Sequence, residues 1–499
     1  MRFLALFRLL AFLVTLAVLS KTVCVAQAEH DITGTLKQAT IEWDRRAREL
    51  HVPSYTVEVV SRSGVILRHS FGGRDCTASK LPDSGTIYYL ASATKPFTAT
   101  AVVKLAEEKK IDLDAPVKRY LPRFELADDE ATRSVTVRDL LSHRVGLDSL
   151  KIEIAEAFTG QIDDERFYRL LKQVKPRGKF RYSNLHYTLL GRVIEAVTGE
   201  SWSRYVEQSV LIPADMKRTV TTASEIRDNA NAACALEEDG DRWRPAIIQK
   251  TDRTMHAAGG IGSTTDDLGR FIQMQLNNGL AGKKRVLSAE WMKQMHSPQS
   301  EVGSQFFTFE RKAYGLGWYV GAYRGSELIH HFGSFSGARS HLSFMPQHDI
   351  GVVVLQNEEE PAYYFVDAVA SDVYDIVLQQ TKGEQWKKAT DAEAKSRAKS
   401  AARWEGFRAA KVKDVKLSAG EYGDSDWGTL KIEHEGDQLS AHLGDLPIPI
   451  YVDVKTGELA AEIIGEKFSV TLEENAITFA KGESLRLHFI ANTGPSSLK

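Results

Sequence analysis

The chain has 499 residues, of which 43% are hydrophobic and 26% charged, and this is the composition of an ordinary globular protein. At this length we expect two or more domains and a sizeable hydrophobic core. The formal net charge of −2 gives no reason to expect nucleic acid or an anionic membrane as a partner.

The N-terminus has the three parts of a secretory signal peptide. Arg2 and Arg8 supply positive charge, residues 9–20 are apolar, and Ala26-Gln27-Ala28 forms a small-residue cleavage site. The alternative is an uncleaved membrane anchor, but the apolar run is short for a span, which needs about 20 residues. We therefore expect a signal peptide over residues 1–28, a periplasmic or secreted location, and no stable membrane span after cleavage.

Two cysteines, Cys76 and Cys234, follow the predicted signal peptide. An oxidising compartment would permit a disulfide between them. Their separation in space cannot be derived from sequence, so the paired and the free state both stay open.

The first elements predicted after the signal peptide are a helix and a β-hairpin. Residues 33–50 place apolar side chains at helical spacing among charged neighbours. Residues 54–60 and 65–70 are predicted strands, and Gly64 in the intervening turn can adopt a positive φ.

The stretch from Tyr89 to Phe97 contains the first candidates for chemistry, Ser92 and Lys95. They are three residues apart where a helical pattern begins, so both side chains share one face. A serine hydroxyl needs an adjacent base near pH 7, and a lysine becomes one when burial lowers its pKa. The first helical turn also offers free backbone N–H groups. Because Ser-x-x-Lys recurs at Ser396 and Ser496, the motif depends on support from elsewhere in the chain.

Pro116 ends the helix that follows Lys95, and most patterns between residues 115 and 250 are helical. This favours a helical subdomain inserted into a sheet.

Within this subdomain, Tyr182 and Asn184 stand at the start of a helix predicted over 184–199. A phenol near a lysine ammonium ionises more easily and can move a proton, while an amide can orient a substrate or the lysine. The alternative is a buried tyrosine followed by a helix-capping asparagine.

A glycine-rich turn at residues 258–264 precedes a further helix. Phosphate binding is disfavoured there, because no lysine follows the glycines and no strand clearly precedes them.

The remaining elements of this domain are strands predicted over residues 314–320, 328–332, 341–344 and 351–355, followed by a helix over 362–378. Strands at both ends with helices between them favour the α+β class.

The segment His331-Phe332-Gly333-Ser334 lies on one of these strands. A strand edge can present a backbone N–H to an oxyanion, and glycine permits close approach. The alternative for His331 is an ordinary strand histidine. His330 and His331 alternate across the strand, and no carboxylate is spaced to join them, so we expect no metal site.

These three motifs occur in the order and spacing of a known family. Ser92-x-x-Lys95, Tyr182-x-Asn184 and His331-x-Gly333 resemble those of the penicillin-recognising serine hydrolases, especially the class C β-lactamase-related group with its D-alanyl-D-alanine carboxypeptidases and serine esterases. The resemblance covers about residues 33–380. It implies an antiparallel sheet flanked by helices, a helical subdomain, and a site in the cleft between them.

The resemblance also implies roles for individual residues. Ser92 would attack the substrate carbonyl, and Lys95 and Tyr182 would share the proton transfers. Asn184 would orient the substrate, and the third motif would bind it at His331, Gly333 and Ser334. The backbone N–H groups of Ser92 and Ser334 would form the oxyanion hole. It implies neither a metal nor an organic cofactor.

One position departs from the pattern of the β-lactamases, which carry lysine where this chain has His331. Histidine is mostly neutral above a pKa of about 6.5, so the fixed positive charge for a substrate carboxylate is missing. Arg339 is a candidate replacement, although an exposed loop arginine is the simpler interpretation. The departure favours ester, amide or D-amino-acid peptide substrates over β-lactams.

The sequence therefore predicts a serine hydrolase that forms an acyl-enzyme on a small-molecule or peptide substrate. A true β-lactamase and a penicillin-binding sensor without turnover are the alternatives. The domains we expect after the signal peptide are the hydrolase domain (29–382), a charged helical linker (383–413) and a small accessory all-β module, barrel or sandwich (414–499). The oligomeric state stays open.

Overall fold

The computed structural model describes residues 32–492 except residues 78, 241, 381–382 and 484. The predicted signal peptide at residues 1–28 lies outside this range. Among the residues described, no helix is both long enough and apolar enough to cross a membrane.

The helices are numbered in chain order. They are α1 (32–49), α2 (Lys95–Glu107), α3 (Asp129–Ser134), α4 (Val137–Leu141), α5 (Leu150–Ile154), α6 (Asp164–Leu171), α7 (Asn184–Thr198), α8 (Trp202–Val206), α9 (Ala223–Arg227), α10 (Thr265–Leu276), α11 (Ala289–Met295), α12 (Phe365–Val377) and α13 (Glu384–Arg403). One-turn π-helices continue α5 over Ala155–Thr159 and α8 over Glu207–Leu211.

The strands that precede the linker helix α13 are β1 (Ser54–Val60), β2 (Val65–Gly72), β3 (Tyr88–Tyr89), β4 (Leu236–Asp239), β5 (Arg242–Pro245), β6 (Gly262–Ser263), β7 (Leu280–Ala281), β8 (Lys284–Arg285), β9 (Ser300–Phe306), β10 (Phe309–Tyr314), β11 (Tyr319–Tyr323), β12 (Ser326–Phe335), β13 (Ala338–Met345) and β14 (Ile350–Gln356). Those that follow α13 are β15 (Phe407–Ala409), β16 (Gly420–Asp424), β17 (Gly428–Glu435), β18 (Gln438–Leu443), β19 (Leu446–Pro447), β20 (Ile450–Asp453), β21 (Leu459–Ile463), β22 (Glu466–Glu473), β23 (Ala476–Lys481) and β24 (Leu485–Ala491).

The central sheet is antiparallel and is built from both ends of the first domain, in the order β2-β1-β14-β13-β12-β11-β10-β9. β1 pairs with β14 in a register that sets Tyr55 opposite Gln356. Every residue of β1, β13 and β14 is buried, because helices cover both faces of the sheet. α1 and α12 pack on one face, and α2 and α10 pack on the other. This confirms the α+β, β-lactamase-like fold that the sequence predicted.

One predicted strand is wrong in its extent. The run 314–320 is divided between β10 and β11, and residues 315–318 form the turn between them. Gly317 has φ +89° there, and a Cβ on it would lie 2.5 Å from the Ala99 Cβ of α2. The apolar residues of this turn are buried against the helix, which is why they resemble a strand in the sequence.

The C-terminal strands form a separate antiparallel sheet in the order β15-β20-β21-β22-β23-β24-β16-β17-β18-β19. The sheet curves so that Lys411, next to β15, forms a bridge with Gln438 of β18. Its apolar residues enclose a second core, which Ile154 of α5 joins from the first domain, so it is the barrel-like all-β module that the sequence predicted. Its first strand, β15, lies within the segment predicted as linker.

The turn between β18 and β19 joins this module to the first domain through Asp445. The Asp445 carboxylate accepts a hydrogen bond from Thr251 Oγ1 (2.6 Å) and forms an ion pair with Arg253. Its backbone N–H donates to the carbonyl oxygen of Thr159 (3.0 Å). One residue of the module thus contacts two separate segments of the first domain.

A disulfide connects Cys76 with Cys234, with the two Cα atoms 5.2 Å apart. It joins the loop after β2 to the segment before β4 and decides the pairing that the sequence left open. Because it closes a loop across 158 positions, it restricts the unfolded chain more than a short loop would.

Candidate active site

Ser92 lies in a 3₁₀ turn, Ala91–Thr94, that leads directly into α2. The turn is fixed from outside by the glycine-rich segment, because Leu90 N–H donates to the Ile261 carbonyl (2.9 Å) and β3 pairs with β6. The glycines at 258–264 therefore position the serine turn. Ser92 itself remains partly exposed.

Lys95 is fully buried at the start of α2 and brings the first two motifs together. Its Nζ lies 3.1 Å from Ser92 Oγ, 2.8 Å from Asn184 Oδ1 and 3.0 Å from the Ala258 carbonyl oxygen. Burial lowers the pKa of Lys95 to about 7, and the charge of Lys250 acts in the same direction while Glu153 opposes both. Near neutral pH a large part of this amine is therefore uncharged and able to accept a proton.

Tyr182 lies beside the same amine, but its ring face approaches it, with Lys95 Nζ 4.7 Å from the ring centroid. The hydroxyl is buried and makes no hydrogen bond of standard geometry with a described residue, although the Ser92 hydroxyl is close enough to affect its pKa. Burial raises the pKa of Tyr182 well above its ordinary value, Tyr319 adds to the effect, and the Ser92 hydroxyl opposes it. The expectation of easier ionisation is therefore wrong, because desolvation by burial is the largest effect on this phenol and favours its protonated form.

The structure decides between the two interpretations of Asn184. Ser183 is the cap of α7, since its Oγ accepts from the Leu185 N–H (3.2 Å). The same hydroxyl donates to Glu153 Oε1 (2.9 Å). The Asn184 side chain is left free to accept from Lys95, which places its amide beside the Lys95–Ser92 pair.

The third motif lies directly against the serine turn. A Cβ on Gly333 would lie 1.8 Å from the Leu90 carbonyl oxygen, which shows how closely β12 approaches this turn. Ser340 Oγ of β13 donates to the same carbonyl (2.8 Å). Ser334 follows Gly333, is partly exposed, and its hydroxyl donates to Glu359.

His331 is fully buried and both of its ring nitrogens lie within hydrogen-bond distance of a partner. Its Nδ1 lies 2.8 Å from the Phe332 carbonyl oxygen, which fixes the proton on Nδ1. Its Nε2 then accepts from the Tyr314 hydroxyl (3.0 Å). Burial lowers the pKa of His331 well below its ordinary value, and Lys95 adds to the effect. No fixed positive charge stands at this position.

The interpretation of Arg339 as an exposed loop residue is wrong. Arg339 is on β13 and fully buried. It donates to the Gly333 carbonyl (2.8 Å) and to Asp367 Oδ2 (2.7 Å). The guanidinium is thus committed to holding β12 in place and does not face a substrate.

Two charged groups near the site were not predicted from sequence. Glu153 lies at the end of α5, where burial raises its pKa, and Lys250 lies on the segment before the glycine-rich turn. Neither belongs to a motif, and both lie in stretches that carry no strong periodic pattern, so only tertiary structure could reveal them. Within the part of the chain that the structure describes, no group of three or more His, Cys, Asp or Glu could hold a metal ion.

The helix-covered antiparallel sheet, the helical subdomain and the serine–lysine turn between them define a β-lactamase-like protein. Residues 38–373 match the family model described as Beta-lactamase, which is more than half of the chain. The chain therefore belongs to the beta-lactamase family. This confirms the resemblance to the penicillin-recognising serine hydrolases that the three motifs indicated.

Two curated relatives illustrate the similarity. Protein flp of Staphylococcus aureus (strain N315) is 26% identical over 316 residues, which cover 62% of this chain and 60% of that protein. Penicillin-binding protein 4 of Amycolatopsis lactamdurans is 30% identical over 296 residues, covering 56% of this chain and 75% of that protein. The chain thus spans less than two thirds of the length of the staphylococcal relative.

Solved structures show the same fold. An octameric penicillin-binding protein homologue from Pyrococcus abyssi has a TM-score of 0.60 at 23% identity, covering 91% of this chain and 99% of that chain. The D-amino acid amidase from Ochrobactrum anthropi SV3, complexed with L-phenylalanine amide, has a TM-score of 0.56 at 22% identity, covering 69% of this chain and 98% of that chain. At these identities the likeness concerns the fold alone.

Proposed function

We propose that this chain is a serine hydrolase that forms an acyl-enzyme on Ser92 and acts on ester, amide or D-amino-acid peptide substrates. The observation that carries the proposal is the contact between Lys95 Nζ and Ser92 Oγ at 3.1 Å, on an amine whose burial lowers its pKa to about 7. A buried, largely neutral lysine next to a partly exposed serine is an activated nucleophile pair.

The hydrogen bonds of Lys95 fit the role of general base. A neutral amine has two N–H donors, and Asn184 Oδ1 and the Ala258 carbonyl accept them. The remaining lone pair is then directed at the Ser92 hydroxyl and takes its proton as Oγ bonds to the substrate carbonyl carbon. The backbone N–H groups of Ser92 and Ser334 would stabilise the oxyanion, and the close packing of Gly333 on Leu90 supports this pairing.

When the tetrahedral intermediate collapses, the bond between the carbonyl carbon and the leaving group breaks. The leaving group then needs a proton. The neutral Tyr182 phenol supports a role as donor or relay, because its proton is present throughout the neutral pH range. The proton taken from Ser92 passes through Lys95 and Tyr182 to the leaving alcohol or amine. In the second half of the reaction, water attacks the carbonyl carbon of the acyl-enzyme with the same proton transfers. The bond to Ser92 Oγ breaks, and the acid is released.

The neutral third motif supports substrates other than β-lactams. His331 carries no charge for a carboxylate, and Arg339 is already paired with Asp367. The fold likeness to a D-amino acid amidase complexed with L-phenylalanine amide is consistent with amide substrates. We therefore place esters and amides ahead of β-lactams.

The disulfide supports an oxidising, periplasmic or secreted location, since such bonds persist outside the reducing cytosol. We propose that residues 1–28 direct this export. We also propose that the catalytic unit is 29–382, followed by the linker and the C-terminal module.

Labelling with a fluorophosphonate probe tests the nucleophile. We expect the native chain to label and to hydrolyse p-nitrophenyl butyrate, and Ser92→Ala to lose at least about 10³-fold in both. Ser396→Ala is the matched control, because this second Ser-x-x-Lys serine lies on α13 and bonds to Glu360.

Equal labelling of the native chain and Ser92→Ala would show that another residue is the nucleophile. Faster turnover of nitrocefin than of the ester would instead identify a β-lactamase. A stable penicillin adduct without released product would identify a penicillin-binding sensor.

A further inference from the structure

Lys250 is a partly exposed lysine whose ammonium faces three aromatic rings. Its Nζ lies 4.3 Å from the ring centroid of Phe335, 5.6 Å from that of Phe158 and 5.8 Å from that of Tyr89. These rings are themselves partly exposed and contact one another, with Phe335 and Tyr89 packed edge to face at 5.5 Å. We call Lys250 and these three rings the aromatic lysine site.

The aromatic lysine site adjoins the Ser92 cleft. Phe335 directly follows Ser334 on β12, and the Tyr89 hydroxyl donates to the Gly259 carbonyl. The neighbouring Ala258 carbonyl accepts from Lys95. Lys250 is close enough to influence the pKa of Lys95.

The ammonium of Lys250 has no counter-charge. It donates to the carbonyl oxygens of Ala157 and Thr254, which leaves one of its three N–H groups unused. Among the described residues, no carboxylate lies within ion-pair distance of Nζ. Burial without a partner also lowers its pKa to about 7. A bound anion would supply both the missing charge and the missing acceptor.

The position of Lys250 indicates which part of the substrate it meets. Tyr182, the proposed proton donor to the leaving group, packs against Phe332 and His331 at one end of the third motif. Lys250 packs against Phe335 at the other end. The acyl part of a substrate would extend away from the leaving group, and therefore toward Lys250.

We propose that the aromatic lysine site binds a carboxylate carried on the acyl part of the substrate. This inference rests on the proposed function and narrows it to acyl groups with an apolar stem and an acidic end. The rings accommodate the stem, and Lys250 pairs with the carboxylate. The next residue, Thr251, is bound by Asp445, so the lysine is held on a fixed segment.

Two esters that differ only in the acyl end test the proposal. Mono-p-nitrophenyl glutarate carries a carboxylate where p-nitrophenyl butyrate has a hydrogen, and Ser92→Ala serves as the blank for spontaneous hydrolysis. We expect native kcat/KM to favour the glutarate by about tenfold or more. Lys250→Met should abolish this preference through a higher KM for the glutarate, with butyrate kinetics changed less than about threefold.

Lys250→Arg is the matched variant that keeps the charge, and it should retain most of the preference. If Lys250→Met does not fold, as judged by thermal unfolding, Lys250→Gln takes its place in the test. Equal losses on both esters, or a native enzyme that does not prefer the glutarate, would overturn the proposal while Ser92-dependent butyrate hydrolysis leaves the hydrolase function standing. Absence of Ser92-dependent turnover of either ester would overturn both.

Discussion

At the scale of single residues, burial shifts the pKa of an amine and the pKa of a phenol in opposite directions. Lys95 is moved toward its neutral form, whereas Tyr182 is held in its protonated form. Both shifts have desolvation as their largest cause, because a low-dielectric surrounding disfavours the charged form of either group. The same environment thus favours a neutral amine and a neutral phenol in side chains that lie next to each other, with Lys95 Nζ 4.7 Å from the centroid of the Tyr182 ring.

The lowered pKa of Lys95 predicts the pH dependence of acylation. The base is the neutral amine, so the labelling rate should rise with pH through about 7 and level off above it. Well below that pKa, the rate should fall about tenfold for each pH unit. The measurement is the second-order rate of fluorophosphonate labelling of the native chain between pH 5 and 9.

The matched variant for this prediction is Lys95→Arg, which stays protonated throughout this range. It should label slowly at every pH, and its rate profile should show no inflection near pH 7. A native profile without an inflection near 7 would contradict the assignment of Lys95 as the base.

At the scale of elements, the close contact between β12 and the serine turn is the feature that would align the two oxyanion donors we propose. Gly333→Ala should separate these elements, because a Cβ there would lie 1.8 Å from a backbone oxygen that cannot move freely. We expect acylation to fall about 10²–10³-fold and the free energy of unfolding to fall by about 1–3 kcal/mol. Labelling rates and denaturant unfolding check the two effects.

Gly64→Ala is the control for this substitution. Gly64 lies in the β1–β2 turn, and a Cβ there would meet nothing within 4 Å. It should leave labelling and stability nearly unchanged. A Gly333→Ala protein that labels as fast as the native chain would show that the approach of β12 is not needed for the oxyanion hole.

The elements also show where sequence patterns suffice. Period-two and helical patterns predicted β1, β2 and the helix beginning at Asn184, because local spacing reflects burial on one face. They failed at residues 314–320, where a buried turn carries the same apolar residues as a strand. They failed again at Arg339, whose burial depends on Asp367 from a distant helix.

At the scale of the whole molecule, the resemblance carried by the three motifs predicted the fold class and the side chains that meet at Lys95. It could not predict Glu153 or Lys250, because their proximity to the cleft follows from tertiary packing alone. The contacts of the C-terminal module with the first domain could not be predicted either. Asp445 has no distinguishing sequence context, yet it contacts Thr251 and Thr159 of the other domain.

These contacts predict that the module influences the cleft. Asp445→Ala removes the hydrogen bond to Thr251 and the ion pair with Arg253, so the segment that carries Lys250 loses a fixed anchor. We expect KM for mono-p-nitrophenyl glutarate, the ester whose carboxylate would pair with Lys250, to rise about threefold to tenfold with kcat little changed. Steady-state kinetics with this ester provide the measurement.

Asp437→Ala is the matched control in the same module. Asp437 forms an ion pair with Lys411, also of the module, and both side chains are largely exposed. It should leave KM unchanged. If the two variants behave alike, the docking of the module does not shape the cleft.

The pairing of β1 with β14 also constrains how this protein is made. Tyr55 meets a partner, Gln356, that is translated about 300 residues later. At ~5–20 residues per second, a ribosome needs about 15–60 s to deliver it. Until β14 has been made, the nascent chain therefore lacks a complete central sheet, and β1 has only one of its two neighbouring strands to pair with.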